Sequence, residues 1–179
     1  MNDKNLFDYL VNMHGKYAPS ILFIYTIYLI FEKKFALFYF LIGFFINVIF
    51  NLCLKGILKQ PRPGISENQL KLFLENNNRF IMKNGFPYDI FGMPSGHSQL
   101  SFYCLSYMIC MKANYYQLAI YIIIILCTLY QRVNKNHHTI LQVILGGLTG
   151  IFMGMIIFNQ YTESIKGQLT TKKDDNAIN

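Results

Sequence analysis

The stretch from Phe35 to Leu54, FALFYFLIGFFINVIFNLCL, decides the fold class of this chain. It contains no charged residue, and Lys55 follows it directly. A run of about 20 apolar residues is the length that an α-helix needs to cross the hydrocarbon core of a bilayer. The stretch therefore predicts a transmembrane helix with a cation at its C-terminal end.

Further apolar runs of similar or shorter length lie on both sides of this stretch: Ala18 to Phe31, Ser98 to Met111, Ala113 to Gln131 and Thr139 to Tyr161. The first run reaches spanning length only if its charged flanks extend to the interface. The run that begins at Ser98 is semi-polar, so we expect its Ser and Gln side chains to face protein rather than lipid. The sequence thus predicts an all-α integral membrane helical bundle of about five transmembrane helices.

The composition also indicates a membrane protein. Of the 179 residues, 53% are hydrophobic and 14% are charged, and the formal net charge is +7. Soluble globular chains carry about 25% charged residues. The Lys and Arg residues lie between the apolar runs without forming a stripe, so we expect no nucleic-acid partner. The spacing of the cysteines fits neither a zinc site nor a disulfide framework.

Three segments lie outside the predicted spans. Leu6 to Met13 has the pattern of a short amphipathic helix at the interface, and no cleavable signal peptide is expected. Residues 1–163 are predicted to form a single domain, followed by a polar C-terminal tail over 164–179. The loop from Lys59 to Met93 is long for so small a protein, which favours a functional role for it.

Polar and ionisable residues cluster at helix ends on the side of this loop. The clusters are KGILKQPRP from Lys55, GMPSGHS from Gly92, and RVNKNHH from Arg132, with Gln142 following one helical turn after His138. Each cluster alone has a structural interpretation, as a helix anchor, a helix N-cap at Ser98 or a solvated basic turn. Their shared location favours a site, because ionisable groups at membrane depth are costly and typically functional.

The residue types in these clusters suit phosphoryl transfer. Lys55, Arg62 and Arg132 could clamp a phosphoryl group, since Arg binds two oxygens at once and Lys adds a point charge. A neutral His can attack phosphorus while a second, protonated His donates to the leaving oxygen. No cluster of carboxylates is present to hold a metal. We therefore expect chemistry without a metal or another cofactor.

At these residues the sequence resembles the type-2 phosphatidic acid phosphatase superfamily of lipid phosphatases. The first family motif is matched by Lys55, Arg62 and Pro63, and the second by Pro94-Ser-Gly-His97. The third is matched in part, because Arg132 and His138 are in register but Gln131 and Gln142 replace a Ser and an Asp. The stretches around the second and third motifs are most similar to dolichyl diphosphate phosphatases.

The resemblance implies a role for each matched residue. His138 is the nucleophile that forms a phosphohistidine, and His97 is the acid. Lys55, Arg62 and Arg132 hold the phosphate, with further hydrogen bonds from Ser95 and Gly96. Gln142 orients His138 in place of the family's Asp but brings no negative charge, for which Asp89 is a candidate substitute. The expected partner is a lipid phosphate or diphosphate in the bilayer.

The implied reaction is the hydrolysis of a polyprenyl or dolichyl diphosphate to the monophosphate. A broad-range phosphatase of the phosphatidate type and a non-catalytic lipid-phosphate binder remain alternatives. The short loops that carry lysines are expected in the cytoplasm. This arrangement places the active site of the multi-pass protein on the non-cytoplasmic face, in the endoplasmic reticulum membrane if the source is eukaryotic.

The adjacent histidines provide a first test. The spacing from Arg132 and the partner Gln142 both select His138 over His137. We expect His138→Ala to abolish phosphohydrolase activity and His137→Ala to leave most of it, as measured by phosphate release from purified protein. The reverse result would overturn the assignment of the nucleophile.

Overall fold

The computed structural model describes residues 3–76, 78–83 and 86–176. In chain order its elements are α1 (Asp3–Ile30), α2 (Lys34–Leu58), α3 (Glu67–Glu75), β1 (Phe80–Lys83), β2 (Phe86–Asp89), α4 (Gly96–Cys110), α5 (Tyr115–Asn134) and α6 (Ile140–Asn176). Strands β1 and β2 pair as an antiparallel hairpin. The prediction of a helical bundle is confirmed, with one small hairpin added in the long loop.

Helix α4 lies at the centre of the bundle and contacts α1, α2, α5 and α6. Its polar side chains are buried as expected, among them Ser98 and Gln99. The amide of Gln99 donates to Asn47 Oδ1 at 2.7 Å and accepts from Asn51 Nδ2 at 2.7 Å. The side chains of Ser98 and Gln99 therefore find hydrogen-bond partners inside the bundle, whereas the hydroxyl of Ser101 has no partner among the described residues.

Helices α4 and α6 run parallel to each other, so close that no side chain fits between their backbones at three glycines of α6. Glycines 146, 150 and 154 recur every fourth residue on the face of α6 that meets α4. A Cβ atom at Gly146 would lie 2.5 Å from Ser95 O, and one at Gly150 would lie 2.1 Å from Gln99 O. Small residues at this spacing are what allows membrane helices to approach so closely. The packing places the N-terminal ends of both helices at the same end of the bundle.

Three helices of the described part are long and apolar enough to cross a membrane: α2, α5 and the Ile140–Gly167 portion of α6. The other two predicted spans fall on α1 and α4. Helix α4 has only 15 residues, which is about 22 Å at 1.5 Å per residue. That is shorter than a hydrocarbon core of about 30 Å. The count of about five spans therefore stays a prediction.

The helices at both ends of the chain are longer than the apolar runs within them. Leu6 to Met13 does not form a separate interfacial helix, because α1 runs unbroken from Asp3 to Ile30. The helix continues through Gly15, where a Cβ atom would lie 2.4 Å from the Cβ of Gln131 in α5. At the other end, α6 runs to Asn176, so residues 164–176 of the predicted polar tail are helical, and the division into a domain and a tail stays a prediction. Residues 177–179 of the predicted tail lie outside the described residues.

The long loop is more structured than its sequence suggested. Helix α3 begins after Ser66, whose side chain forms a capping box with Gln69. The hairpin then returns the chain to the end of α2, where Arg62 N donates to Ile90 O at 3.1 Å and Gly92 N donates to Gln60 O at 2.7 Å. This short pairing brings the first two motifs side by side.

The contact between α4 and α6 can be tested at Gly150. We expect Gly150→Ala to destabilise the protein by about 1–3 kcal/mol, because the added methyl group would overlap a backbone carbonyl that cannot move alone. The melting temperature in detergent measures the effect. Gly167→Ala is the control on the same helix, because a Cβ atom there meets no described atom within 4 Å. Equal effects of the two substitutions would contradict the packing.

Candidate active site

Residues from all three clusters meet at the N-terminal ends of α4 and α6. Ser95 N donates to Gln142 O at 2.9 Å, which joins the second cluster to the third. His138 precedes α6 in the turn after α5, and its Nδ1 lies 2.9 Å from Gly92 O. Together with the pairing of Arg62 to Ile90, these contacts gather sequence-distant segments around one buried imidazole.

His138 is 2% exposed and both of its ring nitrogens have partners. Nδ1 lies 3.1 Å from Gln142 Oε1 and also faces the carbonyl of Gly92, so it carries the proton. Nε2 lies 2.8 Å from Nη1 of Arg62. A guanidinium can only donate, so Nε2 holds the lone pair. The neutral tautomer thus presents Nε2, the atom that a nucleophile would use, directly to a cation.

Gln142 is fully buried and uses both ends of its amide. Besides His138, Oε1 accepts from Thr139 N at 3.2 Å. Nε2 donates to Pro61 O at 2.9 Å and to Gln60 Oε1 at 3.1 Å. A carboxylate could orient His138 but could not donate to Pro61. The Gln therefore links the third cluster to the first as well as fixing the imidazole.

The predicted phosphate-binding cations are all buried: Lys55 is 6% exposed, Arg62 8% and Arg132 7%. All three act electrostatically on His138. Arg62 is held by the carbonyl of Asp89 at 2.8 Å from its Nε, and its guanidinium lies 4.3 Å from the centre of the Tyr88 ring. The cluster concentrates positive charge in a place where an unpaired cation is costly.

Two polar atoms at this cluster have no hydrogen-bond partner within the described ranges. They are Oγ of Ser95, which is fully buried, and Nε of Arg132. A buried donor without a partner is expensive, so such atoms call for an explanation. Both belong to residues that the sequence assigns to phosphate binding, and a phosphate oxygen would satisfy either of them.

The remaining predicted residues lie at the edge of the cluster. Gly96 is the first residue of α4, and an added Cβ atom there would lie 3.3 Å from Asn51 Oδ1. His97 is half-buried, lies beside the backbone of Lys16 and is within electrostatic range of Arg132. The structure therefore brings His97 near the cationic cluster, although no direct contact joins it to His138.

Asp89 does not supply the charge that Gln142 lacks. Its carboxylate lies 2.9 Å from Nη2 of Arg79 and 3.7 Å from Nζ of Lys55. Both ring nitrogens of His138 are bound elsewhere. Asp89 thus pairs with Lys55 of the first motif and with Arg79, and not with the imidazole. The suggestion that Asp89 supplies at His138 the negative charge that Gln142 lacks finds no support.

His137 lies apart from His138 although the two are adjacent. It lines a cavity of about 310 Å³ together with Arg62, Tyr88 and Lys135, and its carbonyl accepts from Arg62 Nη1 at 3.1 Å. The two histidines belong to a turn and not to a helix, because α5 ends at Asn134. Within this turn, His138 enters the buried cluster while His137 lines the cavity.

The burial and charge of the cluster keep its histidines neutral. Burial, followed by the cationic Arg62, lowers the pKa of His138 to about 2. Burial, followed by Arg132, lowers the pKa of His97 to about 3. Burial also lowers the pKa of Arg62, which nevertheless stays a cation because guanidinium is so basic. Neutral His138 is suited to nucleophilic attack, whereas His97 needs the charge of a bound anion to hold a proton.

Comparison with known proteins agrees with this geometry. The family model described as PAP2 superfamily matches residues 35–166. The chain belongs to the PAP2 superfamily. The resemblance inferred from the three motifs is thereby confirmed, and the matched residues include every predicted site residue.

Individual PAP2-like proteins show more distant similarity. The dolichyldiphosphatase of Saccharomyces cerevisiae is 29% identical over 126 residues, which are 65% of this chain and 48% of that protein. The chain thus spans about half the length of this curated relative. The crystal structure of Aquifex aeolicus LpxE matches with a TM-score of 0.63 and 21% identity over 86% of both chains. A structural match at this identity shows the fold.

The sequence motifs of the PAP2 superfamily did not reveal every residue that shapes the site. Gly92 places its carbonyl on His138 and has no room for a side chain, since a Cβ atom would lie 2.4 Å from Gln142 Oε1. Gln60 and Asn51 contact the motif residues through their amides. No group of three or more His, Cys, Asp or Glu side chains suited to a metal lies in the described ranges. The catalytic roles and the metal-free chemistry stay predictions.

The neutral histidines make stability depend on pH. Unfolded histidines take up protons below about pH 6.5, but the folded chain leaves His138 neutral down to about pH 2. The stabilisation is therefore complete above pH 6.5 and falls as pH decreases, by about 1.4 kcal/mol per pH unit for each such histidine. We expect thermal stability in detergent to fall between pH 7 and pH 5, and His138→Gln to flatten that fall. The control is His137→Gln, and equal slopes in both variants would contradict the neutral state of His138.

Proposed function

We propose that this protein is a membrane phosphatase that hydrolyses a lipid diphosphate to the monophosphate through a phosphohistidine at His138. The observation that carries the proposal is the environment of this imidazole. Its Nε2 lone pair faces Arg62 at 2.8 Å, while its Nδ1–H is fixed by Gln142. An oriented neutral nucleophile at the centre of a cationic pocket is the arrangement that phosphoryl transfer requires.

The first step is attack of His138 Nε2 on the terminal phosphorus. Arg62 moves its donor from Nε2 to the phosphate oxygens, and Lys55 and Arg132 neutralise the remaining charge. The partnerless Oγ of Ser95 donates to a further oxygen. The N–P bond forms as the bond from phosphorus to the bridging oxygen breaks, and the lipid departs with that electron pair. The amide of Gln142 keeps the proton on Nδ1 throughout.

The second step returns the enzyme to its starting state. Water attacks the phosphorus of the phosphohistidine, and its proton passes to neutral His97. Once the phosphate has left, His97 releases this proton to bulk water, so both histidines are neutral again. The N–P bond breaks, orthophosphate leaves, and the electron pair returns to Nε2 of His138. The N-terminal ends of α4 and α6 both point toward the phosphoryl group, where their aligned N–H groups favour an anion.

The neutral character of the site supports a diphosphate substrate over a monoester. A leaving phosphate departs as a stable anion, whereas a leaving alkoxide needs a proton in the transition state. His97 is held neutral by burial and by Arg132, and Gln142 stabilises an imidazolium less than a carboxylate would. Both features limit the proton donation and the charge stabilisation that a poor leaving group requires. The yeast relative is a dolichyldiphosphatase, which favours the same substrate class.

We place the site at the interface between membrane and water on the non-cytoplasmic face. Lys55 lies in the last turn of α2, which is long and apolar enough to cross a membrane. A lipid tail can stay in the bilayer while its headgroup enters the cationic pocket. The lysine-bearing connections at the opposite end of the bundle support this orientation, which corresponds to the lumen if the membrane is that of the endoplasmic reticulum.

A parallel substrate panel tests the function. Purified protein receives dolichyl diphosphate, undecaprenyl diphosphate and phosphatidate, each with EDTA and with the His138→Ala variant as background. We expect diphosphate turnover to exceed phosphatidate turnover by about tenfold or more, which is a difference of about 1.4 kcal/mol in barrier. EDTA should change nothing.

Each other result would revise the proposal in a defined way. Faster phosphatidate hydrolysis would favour a broad-range phosphatase with the same residues. Turnover no higher than that of His138→Ala would indicate a lipid-phosphate binder. Inhibition by EDTA would contradict the chemistry without a metal. His137→Ala serves as the folded control, because the backbone carbonyl that accepts from Arg62 is kept in this variant.

A further inference from the structure

The hairpin and α3 expose large apolar side chains at the end of the bundle where the cationic cluster lies. Leu74 is 44% exposed, Phe80 53% and Met82 72%. Phe80 and Met82 are two residues apart on β1, so they project from the same face of the hairpin. We call these three side chains the apolar rim. Side chains of this size are normally buried, and a group of them on a surface marks an interaction site.

The apolar rim lies against the last turns of α2. Nη2 of Arg79, the residue before Phe80, donates to Leu52 O at 3.0 Å. Leu74 shares a cavity of about 210 Å³ with Gly56 of α2. Leu52 precedes the end of α2 by six residues, or about 9 Å along the helix axis. The residues that adjoin the rim therefore contact the last two turns of α2.

The rim continues the lipid-facing surface of α2. Exposed apolar side chains follow this helix at intervals of three and four residues: Phe38, Ile42, Phe45, Ile49 and Leu52. Such a stripe on one helix face turns toward the lipid in a membrane helix. Because Arg79 binds at Leu52, the segment that carries Phe80 is attached beside the end of this stripe.

Cations lie close to Leu74 and Phe80 of the rim: Lys59 shares the cavity with Leu74, Lys71 precedes Leu74 by three residues on α3, and Arg79 precedes Phe80. Lys59 and Lys71 are exposed, and Arg79 keeps 28% of its side chain exposed while it pairs with Asp89. Lys and Arg at a membrane surface lay their stems on apolar groups and direct their charges to lipid phosphates. Apolar side chains flanked by cations fit a bilayer surface.

We propose that the apolar rim inserts into the boundary between the headgroups and the acyl chains of the bilayer. The partner is the lipid surface itself, on the side of the membrane where the cationic cluster opens. The insertion would hold the hairpin, and with it Asp89 and Lys55, at a fixed depth beside the lipid headgroups. The proposal rests on the membrane location of the bundle and not on its catalytic chemistry.

Tryptophan fluorescence tests the insertion, because the chain contains no Trp. Phe80→Trp and Met82→Trp are each reconstituted into vesicles with lipids brominated near the headgroup or deep in the acyl chain. Phe45→Trp, on the lipid-facing stripe of α2, is the deep control. Asn68→Trp, on an exposed polar position of α3, is the aqueous control.

We expect both rim variants to show blue-shifted emission and stronger quenching by shallow than by deep bromines. Phe45→Trp should show the opposite preference, and Asn68→Trp should show neither blue shift nor quenching. Emission like that of Asn68→Trp would overturn the proposal, and so would a blue shift without quenching, which indicates protein as the partner. If one rim variant fails to fold, as judged by size exclusion in detergent, the other carries the test. Phosphatase assays on the same samples test the proposed function independently of the insertion.

Discussion

The site depends on the backbone contact between α4 and α6. Because Gly146 and Gly150 carry no side chain, the two helices run in parallel close enough for Ser95 N to bind Gln142 O and for Ser98 Oγ to bind Val143 O at 2.6 Å. Two helix N-termini thus lie side by side at the same end of the bundle. Their partial positive charges add to those of the cationic side chains, and an anion between them relieves the repulsion.

Gln142 shows how one neutral side chain can serve both folding and chemistry. Its carbonyl oxygen fixes the tautomer of His138, while its NH₂ group ties the first cluster to the start of α6 through Pro61. A carboxylate at this position would provide the first contact and lose the second. In the proposed mechanism, His138 is therefore a nucleophile that is well oriented but weakly stabilised as a cation, which suits a substrate with a good leaving group.

Local patterns predicted those parts of the structure that depend on neighbouring residues. The apolar stretch at Phe35 became α2, and the spacing of the third motif selected His138. The capping box at Ser66 and Gln69 was also present in the sequence and could have indicated α3. The amphipathic pattern over residues 6–13 misled, because close packing of Gly15 on α5 let α1 continue without a break.

By itself, the sequence determined the membrane class, the helices and the identity of the three clusters, because hydropathy and motif spacing are properties of adjacent residues. Only the tertiary structure decided which groups meet. The pairing of Asp89 with Lys55 depends on how the hairpin packs against α2, and the link from Gln142 to Pro61 depends on how α6 packs beside the first motif. Hydrogen bonds between distant segments act over about 3 Å, so they exist only after helix packing has fixed those distances.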